Sequence, residues 1–142
     1  MNNLKISEDY IIDFWCSLYE YYVPQELCAL NLNNTSSIDR LIAEYLIPEV
    51  DSGTVSWKFR FKESFRYAIN FWDDAKLEEL FYEPSYGQFR LPKHMSVREF
   101  YIHIWRALYL DEPYEIEDES KYTIIAKRNS SGTMWWYGIQ RV

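Results

Sequence analysis

Histidine is the side chain most often used to move protons near neutral pH, and the chain carries two, His94 and His103. His94 precedes Met95 and Ser96 in a segment that reads as a loop, while His103 falls off the apolar stripe of the helix that follows, beside Arg106 and Glu99. Neither has a nucleophile at a telling spacing, so both read as surface groups. The two cysteines, Cys16 and Cys28, form neither a C-x-x-C zinc spacing nor a disulfide framework. They read as reduced, half-buried thiols. Carboxylates are so numerous, 22 in all, that no pair stands out for glycosidase-type acid and base work. The segment Asp111-Glu112-Pro113-Tyr114-Glu115 lacks the alternating ligands and turn glycine of a calcium loop. The expectation is a protein that is not an enzyme and takes no cofactor or metal.

What remains is charge and aromatic surface. Fifteen Lys and Arg against 22 Asp and Glu give a net charge of -7 in 142 residues, and the pI near 4.8 describes a surface that repels phosphate backbones and anionic lipid. Two stretches carry the excess. One is the N-terminal third, and the other is the run Asp111, Glu112, Glu115, Glu117, Asp118, Glu119. Glu78 and Glu79 add a third, smaller focus. Six Trp, 13 Tyr and 8 Phe exceed what one core of this size takes up, so some rings belong to the surface, where Tyr and Trp anchor protein contacts. Tyr19, Tyr21, Tyr82, Tyr86, Tyr114 and one of Trp135 or Trp136 are the candidates. With 48% hydrophobic residues and only 4 Gly and 5 Pro, a disordered chain is excluded.

These residues need elements to position them. Ser7 caps a helix whose stripe runs Ile11, Phe14, Trp15, Leu18, Tyr22 up to Pro24. A short helix from about 25 to 32 and a third, capped by Ser36 or Ser37 and ending before Pro48, make the N-terminal third helical. Val55, Trp57, Phe59 and Phe61 then alternate with Ser56, Lys58, Arg60 and Lys62, the pattern of a strand with one buried face, and Phe65 to Phe71 continue it. Asp73 or Asp74 caps a helix to about Tyr82. The capping box Ser96-Val97-Arg98-Glu99 opens a long helix near 97–110. The acidic run follows as a loop, and the stretches 121–128 and 133–141 flank Asn129-Ser130-Ser131-Gly132 as a terminal hairpin. The expected architecture is one α+β domain over residues 1–142, with an antiparallel sheet that includes this C-terminal hairpin. No apolar run reaches membrane-spanning length, and the start MNNLKISEDY lacks the pattern of a secretory signal, so the chain reads as cytoplasmic.

A small, acidic, aromatic-rich α+β domain of this character resembles the immunity proteins of bacterial toxin systems, including those of contact-dependent growth inhibition. The residues behind the likeness are the acidic excess from Glu8 to Glu49, Glu78-Glu79 and the run Asp111 to Glu119. No motif is shared. The resemblance implies a protein-binding inhibitor that covers the active site of a cognate basic toxin domain, commonly a nuclease, with Asp111, Glu112, Tyr114, Glu115, Glu117, Asp118, Glu119, Glu78 and Glu79 as contact residues. Two alternatives stand beside it: a nucleic-acid-binding module using the basic side chains of strand 56–62, and a small enzyme with a site assembled from scattered residues.

Overall fold

The computed structural model describes residues 4–125. Its elements in chain order are β1 (Leu4–Ile6), α1 (Glu8–Cys16), α2 (Gln25–Cys28), α3 (Thr35–Leu41), a π turn (Ile42–Leu46), α4 (Ile47–Asp51), α5 (Val55–Phe71), α6 (Asp74–Ser85), α7 (Val97–Tyr109), a 3-10 turn (Glu119–Lys121) and β2 (Tyr122–Ile124). The fold is mostly helical, which corrects the expected α+β class with its antiparallel sheet. Among the described residues the sheet has two strands, β1 and β2, and they run parallel with Leu4 opposite Tyr122 and Ile6 opposite Ile124. The described part of the anticipated hairpin's first arm, 121–128, holds β2, paired with β1; the turn 129–132, the second arm 133–141 and the pair Trp135-Trp136 lie outside the described residues.

The largest correction concerns residues 55–71, where two expected strands are one helix, α5. Thr54 caps it by accepting from the Trp57 amide at 3.1 Å. Trp57, Phe61, Phe65 and Ala68 are fully buried on its inner face, at helical spacing, whereas Val55 and Phe59 are 82% and 50% exposed. The apparent alternation thus merged two buried positions with two solvent-facing ones. A strand would bury all four on one face.

Helix starts follow their local signals. Ser7 accepts from the Asp9 amide at 3.1 Å, Asp73 from the Lys76 amide at 2.8 Å, and Ser96 and Glu99 form the reciprocal capping box. The end of α1 departs from expectation, stopping at Cys16 well before Pro24. There Ser17 donates its hydroxyl to the Phe14 carbonyl at 2.6 Å, and Tyr45 donates to the Ser17 carbonyl at 2.6 Å. The chain then tightens into turns with i to i+3 bonds. Asn34, not Ser36 or Ser37, caps α3. Pro48 lies inside the first turn of α4 rather than beyond a helix end. A proline has no amide to extend the helical ladder, and the wider π turn just before it, closed from the Ile47 amide to the Ile42 carbonyl, absorbs the mismatch.

One aromatic core joins these helices. Trp15 sits at its centre with Phe14, Phe81 and Tyr101 at centroid distances of 4.6, 4.8 and 5.6 Å. Its indole N–H donates to the Tyr101 hydroxyl at 3.1 Å, and that hydroxyl donates to the Leu77 carbonyl at 2.7 Å, so the polar atoms of two buried rings are satisfied across α1, α7 and α6. At the start of α7 the Arg98 guanidinium donates to the Ile69 and Trp72 carbonyls, closing the corner between α5 and α6.

Candidate protein-binding surface

Once residues 55–71 are a helix, Lys62, Arg66 and Asn70 fall on one face at spacings of four. That face carries the acidic loop. Arg66 donates to the Pro113 carbonyl at 2.5 Å and to the Glu112 carboxylate at 2.7 Å, while Lys62 pairs with the same carboxylate at 2.7 Å. Asn70 holds the next turn of chain from both ends of its amide, donating to the Tyr114 carbonyl at 2.8 Å and accepting from the Ile116 amide at 3.2 Å. From α7, Trp105 donates its indole N–H to the Glu112 carbonyl at 2.7 Å. Its ring also lies 4.8 Å from the Arg66 guanidinium, within cation–π range.

Further along, the Tyr67 hydroxyl donates to Glu119 at 2.8 Å and the Tyr122 hydroxyl donates to Glu63 at 2.7 Å. Burial first, then the Glu119 contact, pushes the Tyr67 phenol up to about 12. For Glu112, burial alone would raise the carboxyl. Hydrogen bonds from Lys62 and Arg66 outweigh that effect and hold it below the ordinary carboxylate value. Asp118 caps the 3-10 turn, and the Ser120 hydroxyl and amide hold it low as well. The loop is therefore a shaped ridge.

Between this ridge and the end of α7 lies an open depression of about 560 Å³, lined by Trp105, Arg106, Leu110, Asp111, Glu112, Pro113, Tyr114 and Glu115. Leu110 is part of this lining and is 73% exposed, with φ of 54° and ψ of -116°. A bulky side chain at positive φ stores roughly 1–3 kcal/mol of backbone strain, which glycine would avoid.

The structure sorts the candidate residues into distinct roles. Asp111, Glu115 and Glu117 are exposed on the ridge, and Tyr114 is half-buried with Arg106 6.0 Å above its ring. Glu112, Asp118 and Glu119 are engaged in holding the loop. Glu78 and Glu79 are exposed on α6, with neither joining the pocket lining. The strand on which a nucleic-acid-binding face at 56–62 would rest is absent, and Lys62 is turned to Glu112. Both histidines attach to α3: His94 contacts the Thr35 hydroxyl at 3.2 Å, and His103 meets Asp39 at 2.7 Å. Both cysteines are free and half-buried, and burial, then the Asp13 charge, pushes the Cys16 thiol up to about 11. Among the described residues, no three His, Cys, Asp or Glu side chains group closely enough to hold a metal ion, and no helix is long and apolar enough to cross a membrane.

Arg66, Asn70 and Trp105, together with Leu110, are functional positions that the sequence does not single out, and Lys62, expected on a nucleic-acid-binding strand, is instead an anchor of the loop. Their signal was the four-residue spacing of polar groups opposite the Trp57, Phe61, Phe65 stripe, visible only once that stretch is taken as helical. No protein-family model, curated protein or solved structure matches this chain.

Proposed function

We propose that the protein is a binding inhibitor, an immunity protein that neutralises a cognate basic toxin domain, a nuclease in the commonest case, by laying the ridge 111–119 over its active site in the cytoplasm. The observation that carries this reading is an acidic loop whose shape is set in advance by side chains of another helix, with Asp111, Glu115 and Glu117 left facing solvent. Preorganisation lowers the entropy lost on association. Negative charge on the rim speeds encounter with a cationic protein, and an exposed Leu110 held at an unfavourable φ beside an open depression fits the apolar anchor of such a contact.

Under this proposal the reading frame immediately upstream encodes a large secreted protein, and the C-terminal domain of that product is the titrant; an upstream frame of any other kind counts against the proposal. Titration calorimetry and stopped-flow mixing at low and high salt are expected to give tight binding with an association rate that falls at least about tenfold as salt screens the rim. Leu110→Gly is expected to raise the stability of the free protein and weaken the complex. Absence of binding, or binding that the D111N/E115Q/E117Q variant leaves untouched, would refute the proposal.

A further inference from the structure

Several surface tyrosines take no part in the acidic ridge. Tyr19 lies 5.2 Å from Tyr21, 5.8 Å from Tyr22 and 5.3 Å from Tyr86, centroid to centroid, and Tyr21 and Tyr86 are 78% and 83% exposed. Two helices deliver the cluster. Lys76 at the start of α6 pairs with Glu8 at the start of α1 at 2.6 Å, and Tyr19, just past the end of α1, packs on Tyr86, just past the end of α6. The two helices therefore run side by side in one direction, and their C-terminal ends both lie at the ring cluster. Neither carries a basic residue in its last turn, so the partial negative charge of both dipoles is uncompensated by a neighbouring cation on either helix. Glu20 and Glu83, both exposed, flank the cluster in sequence. Partial burial, followed by Tyr21 and Glu20, pushes the Tyr19 phenol up.

The backbone supplies an independent observation. α6 ends with Tyr86 at φ of 56° and ψ of 30°, the left-handed position that helix ends usually give to glycine, and the glycine stands one residue later, at Gly87. A tyrosine held there presents its ring to solvent over Tyr19. Strain of this kind collects at binding sites.

We propose that this cluster is a second recognition site, taking an arginine side chain from a segment of a basic protein partner, with the guanidinium over the rings of Tyr19, Tyr21 and Tyr86 and Glu20 as its counter-ion. Ring faces carry negative charge density, and the two helix ends and nearby carboxylates add to it. Arginine fits better than lysine because a planar, weakly hydrated guanidinium stacks on aromatic faces. The site shares no residue with the ridge, so its fate does not depend on the reading given above.

An NMR titration of the full chain with an octa-arginine peptide at 150 mM salt tests this, with a Gly/Ser peptide of equal length as control and the tyrosine ring resonances as readout. Saturable movement of the Tyr19, Tyr21 and Tyr86 rings by the arginine peptide alone is expected. Tyr86→Gly removes one ring while favouring the backbone geometry, and is expected to weaken the affinity read at Tyr19 by about fivefold. The D111N/E115Q/E117Q variant is expected to bind at the tyrosines as the parent does. Shifts confined to the ridge, parental affinity in Tyr86→Gly, or equal movement of the rings by a neutral oligosaccharide would each overturn the assignment.

Discussion

Arg66→Ala tests whether the acidic ridge owes its shape to α5. The guanidinium donates to the Pro113 carbonyl at 2.5 Å, to Glu112 at 2.7 Å and to Glu63 at 3.3 Å, and its side chain is only 13% exposed. Alanine removes all three contacts and uncovers the face of Trp105. Taking one partner from a buried charged network costs about 3–5 kcal/mol. Glu112 is 38% exposed and retains Lys62, and Glu63 retains Tyr122, so the low end, about 3 kcal/mol, applies. In a chain of this size that corresponds to a Tm lower by about 10 °C. Circular dichroism gives the melt, and hydrogen exchange gives the local effect: the Ile116 amide, held by Asn70 in the parent, is expected to exchange much faster. Arg66→Met, which keeps an apolar stem over Trp105, should recover part of the loss. A melting point within about 2 °C of the parent, with residues 112–117 still protected, would refute the claim that these contacts fix the loop.

The remaining predictions concern pH, the core and the thiol. Since the Glu112 carboxyl is held below its ordinary value of 4.5, its contribution to stability is complete above that pH and is lost as the pH falls through the depressed folded-state value. Melts recorded between pH 7 and 3 should show Glu112→Gln losing less stability on acidification than the parent does. Tyr101→Phe leaves the Leu77 carbonyl and the Trp15 N–H without their buried partner, and is expected to cost about 2 kcal/mol, read from the urea midpoint. With its thiol raised from 9.0 to about 11, Cys16 carries about 100-fold less thiolate at neutral pH. Iodoacetamide should therefore label it far more slowly in the folded protein than in urea.

Helix boundaries set by short-range chemistry were legible in the sequence. The Ser7 cap, the Ser96-Glu99 capping box and the Asp73 cap all act within three residues of themselves; the first two stand where the sequence places them, and Asp73 is one of the two caps it offers. Residues 55–61 imitate a strand because Val55 and Phe59 are exposed in spite of their type, so hydrophobic identity does not report burial there. The longer series Trp57, Phe61, Phe65, continued by Ala68 and Ile69, held the correct period. The ridge itself was visible only as composition. What gives it shape reaches across 44 to 47 positions, from Arg66 and Asn70 to residues 113–116, and no local pattern encodes such a pairing. β1 escaped notice for the same reason, since three residues form a strand only when Tyr122–Ile124 lies beside them.

Most of the grips on the ridge close on main-chain atoms: the carbonyls of Glu112, Pro113 and Tyr114, and the amide of Ile116. Every residue type offers the same carbonyl, and all but proline offer the same amide. Side chains at 111, 115 and 117 are thus interchangeable without loosening the mount that holds them. Diversification of what this surface recognises requires no compensating change in the helix underneath, and a library randomised at those three positions should fold as readily as the parent while sampling new specificities.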